Sequence, residues 1–262
     1  MTSPQNSKSE SQILEEIIIA RITRIHASIS KIDSLRPSRL VNDLFTHLVK
    51  LCTLPLSIDV KALPKEVQSM GESLIVLCGR AEILLELDFA TFLNKIPQPL
   101  NNVILFPYNG NYIKLANLVN RVLKDHGVEQ PTKVAFVGSG PMPLTSIILA
   151  THHMKSTHFD NFDIDEAAND VARRIVATDA ELEKRMKFLT WMTKEEKVKI
   201  LEHIKKYMKN GGVLLVRSAK GAKAFLYLVV EEDDLLDFEV LSIFHPINDV
   251  INSVVLVRKA IC

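Results

Sequence analysis

The stretch KVAFVGSGPMPLTSIILA, residues Lys133 to Ala150, decides the fold of the second half of this chain. A run of apolar and β-branched residues, typical of a strand covered on both faces, leads into a loop with two glycines and two prolines. An apolar helix follows. Such a loop lets the backbone approach a ligand closely, and the free N–H groups of the helix N-terminus attract a carboxylate or a phosphate. The stretch therefore predicts a site for a nucleotide-like small molecule.

The loop itself consists of Gly138, Ser139, Gly140 and Pro141, which we expect to contact the ligand. Pro141 suits the first turn of the following helix, where its missing N–H has no cost. The third glycine of the dinucleotide fingerprint is missing, and this argues against NAD. A glycine turn that holds no ligand is the alternative interpretation of such a unit.

An acidic pair ends the next predicted strand, THFDNFDID, about 25 residues beyond Gly138. An acidic residue at this place commonly binds the two hydroxyls of a ribose, and we expect this role for Asp163. Asp165 either binds the same ligand or caps the helix that begins at Glu166. S-adenosylmethionine has a ribose and an amino-acid carboxylate but no pyrophosphate, so it fits this loop better than NAD does.

Strand-like and helical runs alternate through the rest of this half, which indicates βαβ units and a mainly parallel, doubly wound sheet. Ligands of such sheets lie at the carboxyl ends of the strands. The first half has amphipathic helical periodicity, with a long third helix that we expect to be broken near Gly71 or Gly79. The predicted fold is α/β, a Rossmann-like S-adenosylmethionine-binding domain at 126–262 preceded by an all-helical N-terminal domain at 13–125 and a disordered leader at 1–12.

Composition excludes several classes of function. The 262 residues are 47% hydrophobic and 24% charged with a formal net charge of +1, so charge gives no argument for nucleic acid or an anionic membrane as a partner. The apolar runs are too short to span a bilayer, and the first residues lack a signal core. Three widely spaced cysteines suggest reduced thiols in a cytoplasmic protein, with no metal site. The oligomeric state is not indicated.

Several segments of the chain, taken together, resemble the plant nicotianamine synthase family. They are GSGPMPLTS within the opening stretch, HFDNFDIDEAAN, LCGRAEILLELDFATFL, LFPYNGNYIKL, RSAKGAKAFLY and FEVLSIFHPINDVINSVVLVRK. The resemblance implies a helical domain packed on a Rossmann-like domain that binds S-adenosylmethionine. It also implies an enzyme that condenses three S-adenosylmethionine molecules by aminocarboxypropyl transfer to give nicotianamine and three methylthioadenosines. Nicotianamine chelates metals in plants and so serves metal homeostasis, while the enzyme itself needs no metal.

The same resemblance points to catalytic residues. Glu82 and Glu86 lie four apart on one helix face, within apolar sequence that raises a carboxyl pKa and suits proton transfer. An exposed stripe on an amphipathic helix is the alternative for both. Tyr108 and Tyr112 are expected to bound the substrate pocket, or else to pack between domains.

Two further residues follow strands at their carboxyl ends. Arg217, at the end of VLLVRS, is a candidate to pair with a substrate carboxylate, and a structural ion pair is equally compatible with the pattern. His245, in the sequence FHP, is a second candidate for substrate binding, with a plain turn residue as the alternative.

The chain departs from the family at two places. The family has paired tyrosines after the proline, whereas here Tyr108 is followed by Asn109. The family also has a fourth strand resembling FDVVFLAALVG, which is missing near Trp191. We expect its loss to expose backbone hydrogen-bonding groups at the centre of the sheet, unless MKFLTW slides across to fill the gap. A non-catalytic paralogue or splice product is therefore one alternative function. An S-adenosylmethionine-dependent methyltransferase is another, because the glycine loop alone does not separate aminocarboxypropyl transfer from methyl transfer.

Overall fold

The computed structural model describes residues 9–56, 58–190, 197–235 and 238–259. The first half is helical, as predicted. Its helices are α1 Glu10–Ile29, α2 Arg39–Cys52, α3 Lys65–Leu93 and α4 Asn109–Asp125, with short 3-10 helices at Val60–Ala62 and Pro99–Leu105. Ser38 caps α2 through a hydrogen bond that its hydroxyl accepts from Val41 N–H at 3.2 Å.

Helix α1 begins inside the segment 1–12 that we expected to be disordered. Ser9 and Gln12 form a capping box in which the Ser9 hydroxyl accepts from Gln12 N–H, and the Gln12 side chain accepts from Ser9 N–H at 2.9 Å. These bonds satisfy backbone donors that the first turn would otherwise leave free, and so they extend the helix toward the N-terminus. The rest of the expected leader, residues 1–8, lies outside the described residues.

Helix α3 runs without the break that we expected near Gly71 or Gly79. A Cβ atom at Gly71 would lie 3.1 Å from the ring of Phe225. The glycine therefore permits close packing of Phe225 on α3, and this tertiary contact explains its presence in a helix interior. The expectation of a break was wrong because it considered local propensity alone.

All six strands predicted in the second half are present. They are β1 Lys133–Val137, β2 His158–Asp163, β3 Met186–Thr190, β4 Val213–Ser218, β5 Phe238–Phe244 and β6 Ser253–Lys259. The helices between them are α5 Leu144–Ile148, which continues as a π-helical turn at Leu149–His153, then α6 Glu166–Val176, α7 Ala180–Arg185 and α8 Lys197–Tyr207. Two short 3-10 helices lie at Gly221–Phe225 and Glu232–Leu235.

The strands form two separate sheets, whereas we expected one continuous sheet. In the first, β1, β2 and β3 are parallel in the order β1-β2-β3, and in the second, β4, β6 and β5 are antiparallel in the order β4-β6-β5. Among the described residues β1 pairs with β2 only, and β4 pairs with β6 only. The sheet is thus interrupted between β1 and β4, beside the first strand, where the missing family strand would lie.

The segment MKFLT remains the third strand and does not slide across into the gap. As β3 it pairs with β2 from Phe159 opposite Met186 to Asp163 opposite Thr190. Strand β1 has no fully buried residue, and Val137 at its end is 44% exposed. The prediction that both faces of β1 are covered was therefore wrong, and among the described residues β1 has a strand partner on one edge only.

Two large buried clusters hold the fold together, and a third, smaller one packs Leu201 and Leu235 against Val255 and Val257 of β6. The first joins α4 and the end of α3 to both sheets, with Leu115, Val119, Phe159 and Leu256 among its members. The second packs α1, α2 and the first part of α3 around Phe225. Helix α4 shares a core with the sheets, so the predicted domain boundary near residue 125 divides the sequence at a point where the packing is continuous. Helix α3 passes through both large clusters and carries its side chains toward the ends of the strands.

Candidate functional site

The glycine loop lies at the carboxyl end of β1. Gly138 and Gly140 have φ angles of 74° and 64°, which only glycine adopts without strain. The backbone N–H groups of Gly138 and Ser139 donate to the carbonyl of Phe162 at 2.8 and 3.1 Å, so the loop is fixed to the end of β2.

The helix after the loop begins at Leu144 and not at Pro141, as we had expected. Met142 precedes Pro143, and a residue before proline is disfavoured in helical conformation. The loop therefore continues through both prolines.

Asp163, the last residue of β2, also holds the loop that follows β1. Its Oδ2 accepts a hydrogen bond from Gly140 N–H at 2.8 Å, and its Oδ1 accepts from Asp165 N–H at 3.0 Å. Asp165 is the N-cap of α6, because its Oδ1 accepts from the N–H groups of Ala167 at 2.9 Å and Ala168 at 3.4 Å. Of the two aspartates, Asp163 faces the cleft and Asp165 supports the helix.

A cavity of about 600 Å³, here called the loop cavity, opens at this edge of the first sheet. Its lining includes Gly138, Ser139, Gly140 and Asp163 but neither Pro141 nor Asp165. Ser139 is 5% exposed, and its hydroxyl has no hydrogen-bond partner among the described residues. Since buried polar groups are usually paired, this hydroxyl is available to a ligand in the cavity.

Two carboxyl groups and a phenol meet on the opposite wall. The Tyr112 hydroxyl lies 2.7 Å from Oε1 of Glu86 and 3.1 Å from Oε1 of Glu82. Glu86 is 8% exposed, so the alternative of an exposed stripe does not hold for it, whereas Glu82 is exposed and lines the cavity. Burial, with the neighbouring charge of Glu82, raises the pKa of Glu86 to about 8. Burial also raises the pKa of Tyr112 well above its ordinary value.

Glu86 lies directly against the glycine loop. A Cβ atom added at Gly140 would be 2.7 Å from Oε2 of Glu86. Helix α3 thus carries a carboxyl group with a raised pKa to the backbone of the loop that β1 and β2 position. The sequence did not predict this contact, because Glu86 and Gly140 lie far apart along the chain, although each was predicted as a site residue.

A second cavity of about 280 Å³, here called the helical cavity, lies among α2, α3, α4 and the C-terminal loops. It shares Glu82, Tyr112, Arg217 and Tyr227 with the loop cavity. These residues therefore form a common wall between the two cavities.

Tyr108 lines the helical cavity, and burial raises the pKa of its phenol. Asn109, the residue that departs from the family pattern, is 8% exposed and lines neither cavity.

Arg217 lies on the common wall. Its Nη2 donates to the Thr145 hydroxyl at 2.7 Å, and its guanidinium lies 5.5 Å from the centroid of the Phe136 ring. Among the described residues no carboxylate forms an ion pair with it. Because its charge faces both cavities and is not neutralised by such a pair, Arg217 is placed to bind an anionic substrate group.

His245 is not brought to either cavity. Its Nδ1 lies 2.8 Å from the Ser253 hydroxyl, and burial lowers its pKa. The hydrogen bond joins the end of β5 to the start of β6, so the geometry matches the turn-residue alternative.

Three residues near the site were missed in the sequence. Tyr227 forms part of the common wall, Asn252 lines the helical cavity, and Lys223 is buried and donates to three backbone carbonyls. Tyr227 and Lys223 follow the carboxyl end of β4, and that position was the signal that would have found them. Asn252 precedes β6 and gave no signal in the sequence.

Within the described ranges no group of three or more His, Cys, Asp and Glu side chains is placed to hold a metal ion. Of the helices in those ranges, none is both long and apolar enough to cross a membrane.

A family model and two similar plant proteins point to one protein family. The family model described as "Nicotianamine synthase protein" matches residues 9–192 and 189–262. The chain is 43% identical to nicotianamine synthase from Solanum lycopersicum, with 92% of this chain and 83% of the relative aligned. It is 44% identical to nicotianamine synthase 1 from Arabidopsis thaliana, with 93% and 84% aligned.

The family match is split into two segments that meet at residues 189–192. The tomato alignment spans 264 positions although it includes only 92% of a 262-residue chain, so it contains gaps in this chain. Both observations agree with a family segment that is missing beside Trp191.

Solved structures share the fold. A complex of a glutamate-to-glutamine mutant of MtNAS with S-adenosylmethionine superimposes with a TM-score of 0.78 at 18% identity, covering 93% of this chain and 98% of that chain. A complex of MtNAS with MTA and tNA also has a TM-score of 0.78 at 18% identity, covering 95% and 98%. At this identity the comparison establishes the α/β fold.

Proposed function

The chain belongs to the nicotianamine synthase family, and from this premise we propose that it transfers aminocarboxypropyl groups from S-adenosylmethionine. Three S-adenosylmethionine molecules would give nicotianamine and three methylthioadenosines. The observation that carries the proposal is the cluster of Glu86, Tyr112 and Glu82, in which Tyr112 and Glu82 lie on the common wall and Glu86 lines the loop cavity beside them. A group that accepts a proton is placed where a donor molecule in one cavity would meet an acceptor in the other.

The loop cavity is the proposed donor site. Its volume of about 600 Å³ lies in the range of small-molecule sites. Gly138 and Gly140 allow close approach of the backbone, the unpaired Ser139 hydroxyl offers a hydrogen bond, and Asp163 retains lone pairs for ribose hydroxyls. Pro141 and Asp165 would act through the shape of the loop and of α6. The relative MtNAS has been crystallised with S-adenosylmethionine, which supports this ligand.

The proposed step needs a neutral amine as the nucleophile. Its nitrogen attacks the methylene carbon next to the sulfonium, a C–N bond forms, and the C–S bond breaks with its electron pair moving to sulfur. Methylthioadenosine leaves as a neutral thioether, and the ammonium group that forms gives one proton to the carboxylate of either Glu82 or Glu86. A pKa of about 8 at Glu86 suits proton transfer near neutral pH. Positioning of the two reactants supplies most of the acceleration.

The helical cavity is the proposed acceptor site. Tyr108 and Tyr112 would bound the acceptor. The Tyr112 hydroxyl lies within hydrogen-bond distance of both carboxyl groups and donates its one proton to one of them at a time, so it would orient Glu82 and Glu86 in turn. Arg217 on the common wall would bind the carboxylate of the aminocarboxypropyl group. His245 lines neither cavity and is not proposed to bind substrate.

A second candidate function is favoured by the interrupted sheet. Strand β1 borders the donor site, and its second edge has no strand partner among the described residues. A family member that has lost one strand of this wall would bind S-adenosylmethionine without turning it over.

One assay separates these functions. The purified chain is incubated with S-adenosylmethionine, and products are identified by mass spectrometry. Methylthioadenosine with nicotianamine supports the proposal, whereas S-adenosylhomocysteine indicates methyl transfer. Stabilisation by S-adenosylmethionine without either product identifies a ligand-binding chain that is not catalytic.

The setting of the reaction is part of the same proposal. We infer that the product gives the chain a role in metal homeostasis. We also infer that the enzyme needs no metal cofactor, and we expect its activity to persist in the presence of a chelator. A cytoplasmic location is supported by the free cysteines Cys52 and Cys78. The near-neutral charge supports small molecules, and not nucleic acid, as the partners.

A further inference from the structure

A buried amide in the helical cavity lacks a partner. Asn252 is 6% exposed, lines this cavity, and its Nδ2 forms no hydrogen bond with any residue in the described part of the chain. An amide nitrogen carries two N–H donors and cannot accept. A buried donor without a partner destabilises the fold, so its presence needs an explanation such as a ligand.

The backbone before Asn252 is firmly held. The ammonium of Lys223 donates to the carbonyls of Pro246 at 2.9 Å, Asn248 at 2.8 Å and Val250 at 2.6 Å. Lys223 is itself 7% exposed, so it supports the segment from inside.

The residues on either side of Asn252 are anchored too. The N–H of Ile251 donates to Oδ1 of Asn111 at 3.4 Å, and the hydroxyl of Ser253 is paired with His245. The backbone on both sides of Asn252 is consequently held before any ligand arrives. Preorganised donors of this kind are effective in binding because little order is lost when the ligand binds.

The charges of the cavity favour a carboxylate as the ligand group. The charged residues among its lining are Glu82 and Arg217, and both lie on the wall shared with the loop cavity. An amino-acid acceptor whose amine reaches Glu82 must hold its own carboxylate away from that negative charge. With Arg217 serving the donor molecule, the acceptor carboxylate needs another hydrogen-bond donor, and Asn252 supplies one.

We propose that Asn252 is a specificity-determining residue that binds a carboxylate of the acceptor through its Nδ2, an inference that rests on the proposed function. The segment that Lys223 holds serves to present this amide. The residue would thereby favour acceptors that carry a carboxylate over simple amines.

The test is calorimetric binding of nicotianamine and, separately, of S-adenosylmethionine to the full chain and to Asn252→Leu. Leucine has a similar size but cannot donate. We expect about tenfold or greater weakening for nicotianamine, the loss of a hydrogen bond to a charged group, with unchanged affinity for S-adenosylmethionine. Asn252→Gln, which keeps the amide, should recover part of the loss. Asn120→Leu is the matched control, since Asn120 also has an unpaired amide atom but lies outside both cavities.

The outcomes are distinguishable. Equal nicotianamine affinity in wild type and Asn252→Leu overturns the inference, as does a wild type that binds no nicotianamine. Equal weakening for both ligands also overturns it, because the residue would then act on the whole fold. If Asn252→Leu does not fold, Asn252→Ser takes its place in the same comparison. A wild type that binds nicotianamine but releases no methylthioadenosine refutes the proposed function and leaves the binding result standing.

Discussion

The phenol oxygen of Tyr112 lies 2.7 Å from Oε1 of Glu86, and this contact joins α4 to α3 at the glycine loop. The other oxygen of the same carboxyl group would be 2.7 Å from a Cβ atom at Gly140. One carboxyl group therefore connects the helical half to the loop of the first sheet.

Tyr112→Phe should lower the rate of methylthioadenosine release by about 10- to 100-fold, less than the roughly 100- to 10,000-fold of a lost general base, because Tyr112 orients the carboxyl groups and does not accept the proton. Phenylalanine keeps the ring but removes the hydroxyl that lies between Glu82 and Glu86. The hydrogen bond from Tyr112 holds the pKa of Glu86 down against burial, so its loss also makes the carboxylate harder to form. The measurement is turnover at saturating S-adenosylmethionine. Tyr207→Phe, at an exposed tyrosine that lines neither cavity, serves as the control, and equal rates in the Tyr112 variant and wild type would refute the role.

The rate should rise with pH through about 8, the pKa of Glu86. A carboxyl group accepts a proton only when it is ionised, and here burial and the Glu82 charge delay ionisation from the usual acidic range. Activity is therefore expected to be low near pH 6 and to approach a plateau above pH 9. A profile of kcat/KM measures this. Glu86→Gln should remove the rise together with most of the activity, and an unchanged profile in that variant would assign the titration elsewhere.

Gly140→Ala should weaken binding of S-adenosylmethionine more than Gly138→Ala does. Both glycines have positive φ, so alanine strains the backbone at either position by about 1–2 kcal/mol. At Gly140 the new methyl group would also displace Glu86, whereas nothing lies within 4 Å of a Cβ atom at Gly138. Thermal unfolding reports the shared strain, and calorimetric titration reports the difference. Equal affinities in the two variants would show that the contact with Glu86 does not matter for binding.

Asp163→Asn should weaken the binding of S-adenosylmethionine, whereas Asp165→Asn should leave it nearly unchanged. Asp163 holds Gly140 N–H and faces the loop cavity, so the amide should weaken S-adenosylmethionine binding by about tenfold, as for the loss of a charge-assisted hydrogen bond. Asp165 caps α6, and asparagine is also a good cap, so its variant should change stability and affinity little. A large loss of affinity in the Asp165 variant would return that residue to the binding site.

Much of the fold was predictable because its signals are local. Ser38 before an amphipathic run, the apolar strand before Gly138 and the acidic residue that ends β2 each depend on a few neighbouring residues. The contact of Glu86 with Gly140 and the hydrogen bonds of Lys223 depend on tertiary packing, which local patterns do not encode. Gly71 shows the difference, since local propensity indicates a helix break where packing needs a small residue.

Restoring the missing strand should rejoin the two sheets. An insertion resembling FDVVFLAALVG with short flanking loops, placed between Trp191 and Met192, would offer backbone partners to the open edges of β1 and β4. It would also cover Val137, which is 44% exposed beside the loop cavity. We expect slower hydrogen exchange in residues 133–137, tighter S-adenosylmethionine binding, and a Tm higher by roughly 2–4 °C for each kcal/mol gained. An insertion of the same length with prolines at alternate positions cannot pair and is the control. Equal exchange in the two insertions would show that the gap between β1 and β4 does not accept a strand.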